Sequence, residues 1–246
     1  MALPRVTSRK DWLAARKELL AEEKAMTRAR DALNTKRRLL PMVEIDKPYK
    51  FEGPADTVSL LDMFEGRRQL IVQHFMFDPS WDDGCPSCTA AADELSNGLL
   101  EHLRSRDTSF AVVSRAPIDK IERYKAKRGW RFPWYSSYGS DFNYDFHVTI
   151  DASVAPVEWN YRDADELAAT GAGWLLEGSY EQPGYSTFLR DGDRVFHTNS
   201  IYARGAEMLG GSYYFLDLTA LGRQEDWEEP KDRTDTQRGA VPNFTS

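Results

Sequence analysis

Cysteine is scarce in this sequence: it occurs twice in 246 residues, at positions 85 and 88. Two cysteines do not make the disulfide framework of a small secreted domain, and in a reducing compartment such a pair is more often catalytic, redox-sensing or metal-binding. No apolar run approaches the ~18 residues that a membrane-spanning helix needs. The N-terminus also lacks the apolar segment of a secretory signal. We therefore expect a cytoplasmic protein with no membrane partner.

Positive charge is in deficit as well, because 32 Lys and Arg face 39 Asp and Glu and the net charge is −7. The chain as a whole therefore offers no basic footprint for nucleic acid, and we expect no such partner. Its hydrophobic content of 41% and aromatic content of 12% are those of a globular protein with a core. This length accommodates one good-sized domain with appendages, or two small domains.

The two cysteines form a Cys-x-x-Cys motif after a predicted buried strand. Residues 68–77 are a nearly continuous apolar run, as expected of a central strand covered on both faces. Gly84 permits a sharp turn, Cys85 falls at or near the N-cap of a helix, and Pro86 takes the first helical position. Free amides at the helix N-terminus lower the pKa of the first thiol. We predict Cys85 as the nucleophile and Cys88, one turn later, as the thiol that resolves a mixed disulfide.

Two further residues are candidates to support the thiols. His74, inside the predicted strand, is either a hydrogen-bonded core histidine, which we favour, or a proton acceptor near the sulfurs. Arg115 follows the second predicted strand and faces the end of the sheet where ligands of open α/β sheets collect, unless it forms a surface salt bridge. Asp78, Asp82 and Asp83 precede the motif, and a carboxylate beside the thiols would oppose ionisation of Cys85.

A metal site is the alternative use of the same cysteines. Tetrahedral zinc needs two ligands more than one Cys-x-x-Cys supplies. The four histidines are candidates, but no two of them show the short spacing of a zinc motif; they are His74, His102, His147 and His197. We expect neither a metal nor a cofactor.

The N-terminal part of the chain predicts one long helix over residues 7–38. Trp12, Leu19, Met26 and Leu33 recur every seven residues and form a narrow apolar stripe. Between residues 8 and 38 ten Lys or Arg face five acids, so the segment is basic in an acidic protein. We favour a helix laid across the main domain or paired with a second subunit, and a homodimer through this helix is one expectation.

The remaining pattern alternates strands and helices, which favours βαβ units and a mostly parallel core. We expect a short helix over residues 58–64, a helix from the motif to about residue 106, and a strand over residues 109–114. Asp191-Gly192 between alternating segments predicts a hairpin over residues 183–198. Residues 132–148 are rich in aromatic side chains that alternate with polar ones. The candidates for an aromatic-lined pocket are Trp81, Trp134, Tyr138, Asp141, Phe142, Tyr144 and His147.

The order of these elements resembles the thioredoxin fold, and longer motifs resemble one family within it. These motifs are Leu3-Pro4-Arg5-Val6-Thr7-Ser8, Trp12-Leu13-Ala14-Ala15-Arg16, His74-Phe75-Met76-Phe77, Gly84-Cys85-Pro86-Ser87-Cys88, the segment from Ser137 to His147, and Gly222-Arg223-Gln224-Glu225-Asp226-Trp227. The chain is similar in them to the thioredoxin-like group catalogued as domain of unknown function 899, whose members are predicted dithiol–disulfide oxidoreductases. The resemblance spans nearly the whole chain and implies the fold and thiol–disulfide chemistry, without naming a substrate.

Two departures limit what the resemblance implies. Thioredoxin-like oxidoreductases place a cis-proline before the hairpin strand, and Pro183 is the nearest candidate here. Peroxiredoxins share the fold but use a Pro-x-x-x-Thr-x-x-Cys motif. Four residues after Pro79 stands Asp83, and seven after it stands Pro86. Peroxidase activity is therefore less favoured than dithiol–disulfide exchange.

We predict an α/β protein with a thioredoxin-like fold, in which helices flank a central mixed sheet and a long helix precedes it. The expected organisation is a helical arm over residues 1–40, a thioredoxin-like domain over 41–221 and a polar, mobile tail over 222–246. The expected partner is a thiol or disulfide substrate, a protein or a small molecule. The alternative function is a binding, scaffold or redox-sensing protein with an aromatic-lined pocket and no catalysis.

Overall fold

The computed structural model describes residues 3–209, 211–231 and 235–236. Within these residues the chain forms two compact units, one of residues 3–41 and 213–236 and one of residues 42–212. The predicted mobile tail over 222–246 lies in part outside the described residues. Its boundary at residue 222 and the domain boundary at residue 41 stay predictions.

The helices and strands follow one another along both units. The helices are α1 (Arg9–Arg38), α2 (Pro86–Asp93), α3 (Asn97–Arg104), α4 (Ile118–Arg128), α5 (Phe142–Asp145), α6 (Ala164–Ala169) and α7 (Ser212–Leu216). The strands are β1 (Val43–Ile45), β2 (Lys50–Glu52), β3 (Thr57–Ser59), β4 (Gln69–His74), β5 (Thr108–Ser114), β6 (Trp134–Ser136), β7 (Thr149–Asp151), β8 (Glu158–Trp159), β9 (Arg162–Asp163), β10 (Ser179–Glu181), β11 (Gly184–Asp191) and β12 (Arg194–Tyr202). Short 3-10 turns lie at Asp62–Phe64, Gly173–Leu176 and Ala203–Leu209.

Helix α1 begins at Arg9, two residues after the predicted start, and ends at the predicted residue 38. Ser8 is the N-cap, and its hydroxyl accepts a hydrogen bond of 3.1 Å from the amide of Asp11, which satisfies one of the free amides of the first turn. Three bases, Lys36, Arg37 and Arg38, stand in the last turn, where they face the negative end of the helix dipole. No residue of the helix is buried, so its apolar stripe is exposed in the single chain.

The central sheet has eight strands in the order β1-β12-β11-β4-β5-β6-β2-β3. Only β4 with β5 and β5 with β6 pair in parallel, and the other neighbours are antiparallel. The expectation of a mostly parallel core was therefore wrong, because the hairpin strands and the short edge strands outnumber the βαβ units. The predicted mixed sheet is confirmed.

Four neighbouring strands of this sheet define the fold. In the order β12-β11-β4-β5, the strands β4 and β5 are parallel and connected through α2 and α3, and the hairpin of β11 and β12 lies antiparallel beside β4. This βαβ unit followed by a ββ hairpin is the thioredoxin-like arrangement, as the sequence predicts. It places the end of β4, and the motif that follows it, in the middle of the sheet.

Two apolar clusters cover the two faces of the sheet. Leu70 and Val72 of β4 belong to the cluster that contains Phe142, whereas Phe75 belongs to the cluster beneath α2 and α4 together with Trp134. Alternate residues of a strand point to opposite faces. Side chains in the cluster of Phe75 therefore lie on the same face of the sheet as the cysteines, and those in the cluster of Phe142 lie on the other face. A third, smaller cluster joins Ile150, Leu167 and Leu175.

Local structure differs from the sequence prediction at two short segments. The helix after the motif stops at Asp93 and a second helix starts at Asn97, because Ser96 accepts a hydrogen bond of 3.1 Å from the amide of Leu99 and caps a new N-terminus. Residues 58–64 do not form a helix: β3 extends to Ser59, and only the 3-10 turn follows. Within the described part of the chain, no helix has the length and apolarity to cross a membrane.

Candidate functional site

The motif lies at the junction of β4 and α2. The amide of Cys85 donates a hydrogen bond of 3.0 Å to the carbonyl of Met76, which ties the turn back to the strand. Cys85 is the N-cap of α2 and Pro86 is its first residue. Gly84 packs so closely that an added Cβ would lie 2.5 Å from the ring of Phe75. Glycine is therefore the residue that lets the turn lie directly on the core.

The two thiols occupy different environments. Both cysteines are free; Cys85 is half-buried, and Cys88 is buried with 5% of its surface exposed. A hydrogen bond from the Cys88 side chain lowers the pKa of Cys85 to about 6, and the amides of Cys88 and Ser87 act in the same direction. The hydrogen bond that Cys88 donates to Cys85 raises the pKa of Cys88 well above the usual range, and burial and the negative charge on Cys85 act in the same direction. The site therefore holds one thiolate and one thiol at neutral pH.

A second row of side chains holds the first turn of α2. The hydroxyl of Thr89 donates to the carbonyl of Cys85 at 2.9 Å and lies 2.8 Å from the hydroxyl of Tyr124 on α4. The amide of Thr89 also donates to the carbonyl of Cys85, at 2.9 Å. These contacts join α2 to α4 and hold the N-cap in position. Thr89 is buried, so water does not compete for its hydrogen bonds.

A buried ion cluster lies at the same end of the sheet. Arg115, directly after β5, donates to Glu181 of β10 at 2.7 Å and pairs with Asp78 in the loop after β4. The side chain of Glu181 is 2% exposed and also accepts a hydrogen bond of 3.0 Å from Thr149. Burial raises the pKa of Glu181, and its charge contributes to the raised pKa of Cys88. Arg115 thus forms a partly buried salt bridge instead of standing free for a ligand.

Two of the three aspartates before the motif are paired with bases. Asp78 binds Arg115, and Asp83 accepts hydrogen bonds of 2.9 and 3.0 Å from Lys127 of α4. Lys120 donates to the carbonyls of Pro79 and Trp81, each at 2.7 Å. Asp78 and Asp83 are therefore compensated by bases, which weakens their opposition to a thiolate at Cys85.

His74 does not face the thiols. Its ring packs against Phe142 and Phe146 on the opposite side of the sheet from Phe75 and α2. Burial lowers its pKa to about 3, so it is neutral. It is a hydrogen-bonded core histidine, with Nε2 2.7 Å from the hydroxyl of Ser186.

That contact is the first of three in a buried polar chain. Ser186 Oγ lies 2.7 Å from Ser200 Oγ, and Ser200 Oγ lies 2.8 Å from Nε2 of His197. The chain joins His74 on β4 to the two strands of the hairpin. Its contacts support the packing of the sheet on the face away from the cysteines.

The seven residues predicted to line an aromatic pocket are not brought together. Trp134 and Phe142 are buried in the two separate core clusters. Tyr144 lies beside Arg115, with its ring centre 6.0 Å from the guanidinium carbon. Tyr138 and Asp141 line an open surface cavity of about 400 Å³. Trp81 is in the loop before the motif, and His147 lies 3.6 Å from Glu158.

Pro183 stands immediately before β11, whose first residue, Gly184, pairs with His74 of β4. The peptide bond before Pro183 is trans. Gly184 approaches its neighbours closely, since an added Cβ would lie 2.7 Å from the ring of Tyr202. Among the described residues, no three His, Cys, Asp or Glu side chains form a group suited to a metal ion.

Sequence reasoning missed Glu181, Thr89 and Tyr124 as neighbours of the site. A carboxylate at position 181 has no motif around it, and its role depends on Arg115, which is distant in sequence. The residues on both sides of it are mostly polar or turn-forming and gave no signal of burial. The alternation of Ser179-Tyr180-Glu181 before Pro183 was the one available indication of a strand that ends near the motif.

Comparison with known proteins places the chain in a family. Solved structures similar to it include the Xanthomonas campestris bacterioferritin comigratory protein, studied for its alkyl peroxide reduction activity. The two sequences are 12% identical, the match covers 69% of this chain and 94% of that chain, and the TM-score is 0.46. The peroxidoxin BcpB from Mycobacterium tuberculosis shares 14% identity over 69% of this chain and 92% of its own, also with a TM-score of 0.46.

No curated protein matches the chain. A family model described as "Bacterial protein of unknown function (DUF899)" matches residues 1–238. That match includes the N-terminal helix, the strand before the motif, both cysteines and the hairpin. The chain belongs to the DUF899 family.

Proposed function

We propose that the protein is a thiol–disulfide oxidoreductase in which Cys85 attacks and Cys88 resolves. The observation that carries the proposal is the difference between two sulfurs three residues apart. The half-exposed one has its pKa lowered to about 6, and the buried one has its pKa raised. A reactive thiol needs thiolate character and access, and Cys85 combines the two.

The reaction in the reducing direction transfers two electrons to the substrate. The Cys85 thiolate attacks one sulfur of a substrate disulfide, the substrate S–S bond breaks, and the departing sulfur takes a proton from solvent. Cys88 then loses its proton and attacks the Cys85 sulfur, which releases the second substrate thiol. The substrate is reduced to a dithiol, the protein carries a Cys85–Cys88 disulfide, and an external dithiol regenerates it.

Charge redistribution during this exchange favours the second step. While Cys85 is a thiolate, its charge holds Cys88 protonated. In the mixed disulfide Cys85 is uncharged, so this cause of the raised Cys88 pKa is gone and Cys88 ionises more readily. The buried thiol is therefore protected before the substrate binds and becomes competent after it has reacted.

The test compares reduction of insulin and of a small aromatic disulfide by wild type, Cys85→Ser and Cys88→Ser, with an external dithiol as electron donor. We expect turnover by wild type and none above background by Cys85→Ser. Incubated with the small disulfide in the absence of the external dithiol, Cys88→Ser should accumulate the mixed disulfide, visible as a mass increase by one substrate thiol. Equal rates for wild type and Cys85→Ser would reject the proposal and favour a non-catalytic binding or redox-sensing role.

A further inference from the structure

The described surface has two complementary regions that neither the sheet nor the redox chemistry uses. The first is α1, whose apolar stripe is exposed: Trp12 is 46% and Met26 is 70% exposed. The second is the insert, which we define as residues 152–178, between β7 and β10. Its surface includes Val154 and Trp174, each more than half exposed. Apolar side chains of this size on two surfaces indicate a partner.

The charges of the two regions are opposite. From residue 24 to residue 38, α1 carries six bases and one acid. The insert carries five acids and one base. If two copies of α1 paired in parallel, their basic halves would repel each other. If they paired antiparallel, each basic half would face a nearly neutral half, which offers no compensating negative charge. The insert offers both the apolar contacts and the charge that the basic half of α1 lacks.

The basic side chains are positioned to act together with the stripe. Arg30 and Arg37 each follow a stripe residue, Met26 and Leu33, by four positions and therefore share its face of the helix. Lys24, Arg28 and Arg38 point to the other side. A helix laid with its stripe on the insert thus brings Arg37 to the acidic surface, and Arg30 also, once its guanidinium leaves the ring of Tyr214, whose centre is 5.9 Å away.

We propose that α1 docks on the insert of a second copy of this chain, and that the second copy returns the same contact. The two contacts are equivalent and related by a two-fold axis, so the assembly is a closed dimer. In each contact, α1 of one copy meets the insert of the other. Because each copy contributes one helix and one insert, the dimer contains two such contacts and buries twice the area of one. A stable interface buries about 800 Å² per partner, so the second contact helps to reach this area. The helix supplies a length of about 45 Å at 1.5 Å per residue. This inference does not depend on the thiol chemistry.

Charge reversal on the full-length protein tests the proposal by sedimentation velocity. Wild type should be a dimer at about 0.1 M salt, where charges act over about 10 Å, and its dissociation constant should rise at least tenfold at about 1 M salt. Arg30→Glu with Arg37→Glu should give a monomer. Arg28→Glu with Arg38→Glu makes the same charge change, also with one residue in the last turn, and should remain a dimer.

The insert is tested at Asp165 and Glu177, which are exposed and lie outside the capping box that Asp163 and Glu166 form at the start of α6. Asp165→Lys with Glu177→Lys should give a monomer, and mixing this variant with Arg30→Glu/Arg37→Glu should restore a dimer. Circular dichroism checks that each variant is folded. A monomeric wild type, or a dimer that survives reversal of Asp165 and Glu177, overturns the proposal; the second result would indicate pairing of α1 with α1.

Discussion

At the scale of single residues, the two thiols show how position separates chemically identical groups. Cys85 takes the N-cap and Cys88 lies inside the first turn, so the side chain of Cys88 donates to the sulfur of Cys85. This hydrogen bond stabilises the thiolate of Cys85 and lowers its pKa. The same bond holds the proton on Cys88 and raises its pKa. The pair titrates as a unit, with one low and one high step.

Replacing Cys88 with alanine removes that donor. We expect the pKa of Cys85 to rise from about 6 toward the ~8.5 of a free cysteine. The rise should be incomplete, because the amides of residues 87 and 88 remain. Cys88→Ser keeps a hydroxyl donor and should shift the pKa less. The measurement is the pH dependence of iodoacetamide alkylation, and a midpoint near pH 6 in Cys88→Ala would show that another group ionises Cys85.

The positions of these residues at the start of α2 were predictable because each depends on local spacing. Gly84, Cys85 and Pro86 are consecutive, and the start of a helix follows from their residue types alone. Glu181 was not predictable, since its burial and its charge partner come from elements far apart in sequence. His74 was predictable as a core residue, whereas its facing away from the thiols required the register of β4.

At the scale of elements, the junction between β4 and α2 decides where the thiols stand. Gly84 touches Phe75 of the strand's continuation and Tyr124 of α4, so the turn fits directly against the core beneath α2 and α4. The sequence predicted this junction and the hairpin because both have strong turn signals. It predicted one helix instead of α2 and α3, because the apolar spacing continues through the break and the cap at Ser96 is a single-residue signal.

Gly84→Ala should disturb this junction. Its Cβ would lie 2.5 Å from one ring carbon of Phe75 and 2.9 Å from the next, and forcing such a contact costs about 1–3 kcal/mol of unfolding free energy. The displaced turn should also slow alkylation of Cys85. Urea unfolding and the alkylation rate are the two measurements.

Gly98→Ala is the matched control within the neighbouring helix. Its nearest contact would be the Ser96 hydroxyl at 3.7 Å, so alanine should stabilise α3 by up to about 1 kcal/mol through helix propensity. An unchanged stability in Gly84→Ala would mean that the turn moves freely over Phe75.

At the scale of the whole molecule, stability should depend on the neutral state of His74. The unfolded chain binds a proton there below about pH 6.5, whereas the folded chain resists protonation until about pH 3. The unfolded state therefore binds more protons between these values. The free energy of unfolding should fall by about 1.4 kcal/mol per pH unit as the pH decreases through that window.

Equilibrium urea unfolding between pH 7 and pH 4 measures this dependence. His74→Gln should flatten the curve, although His197, whose pKa burial also lowers, retains part of the slope. His102→Gln, on the exposed face of α3, is the matched control and should leave the slope unchanged. A wild-type slope unaffected by His74→Gln would show that His74 does not control acid stability.

The polar chain between the two histidines also restricts where their protons can lie. Its three contacts need three protons, and the hydroxyls of Ser186 and Ser200 supply two. At least one imidazole must therefore donate the third proton from its Nε2. We expect His74 to be that donor, because its buried Nδ1 has no partner and is then a bare lone pair instead of a stranded N–H.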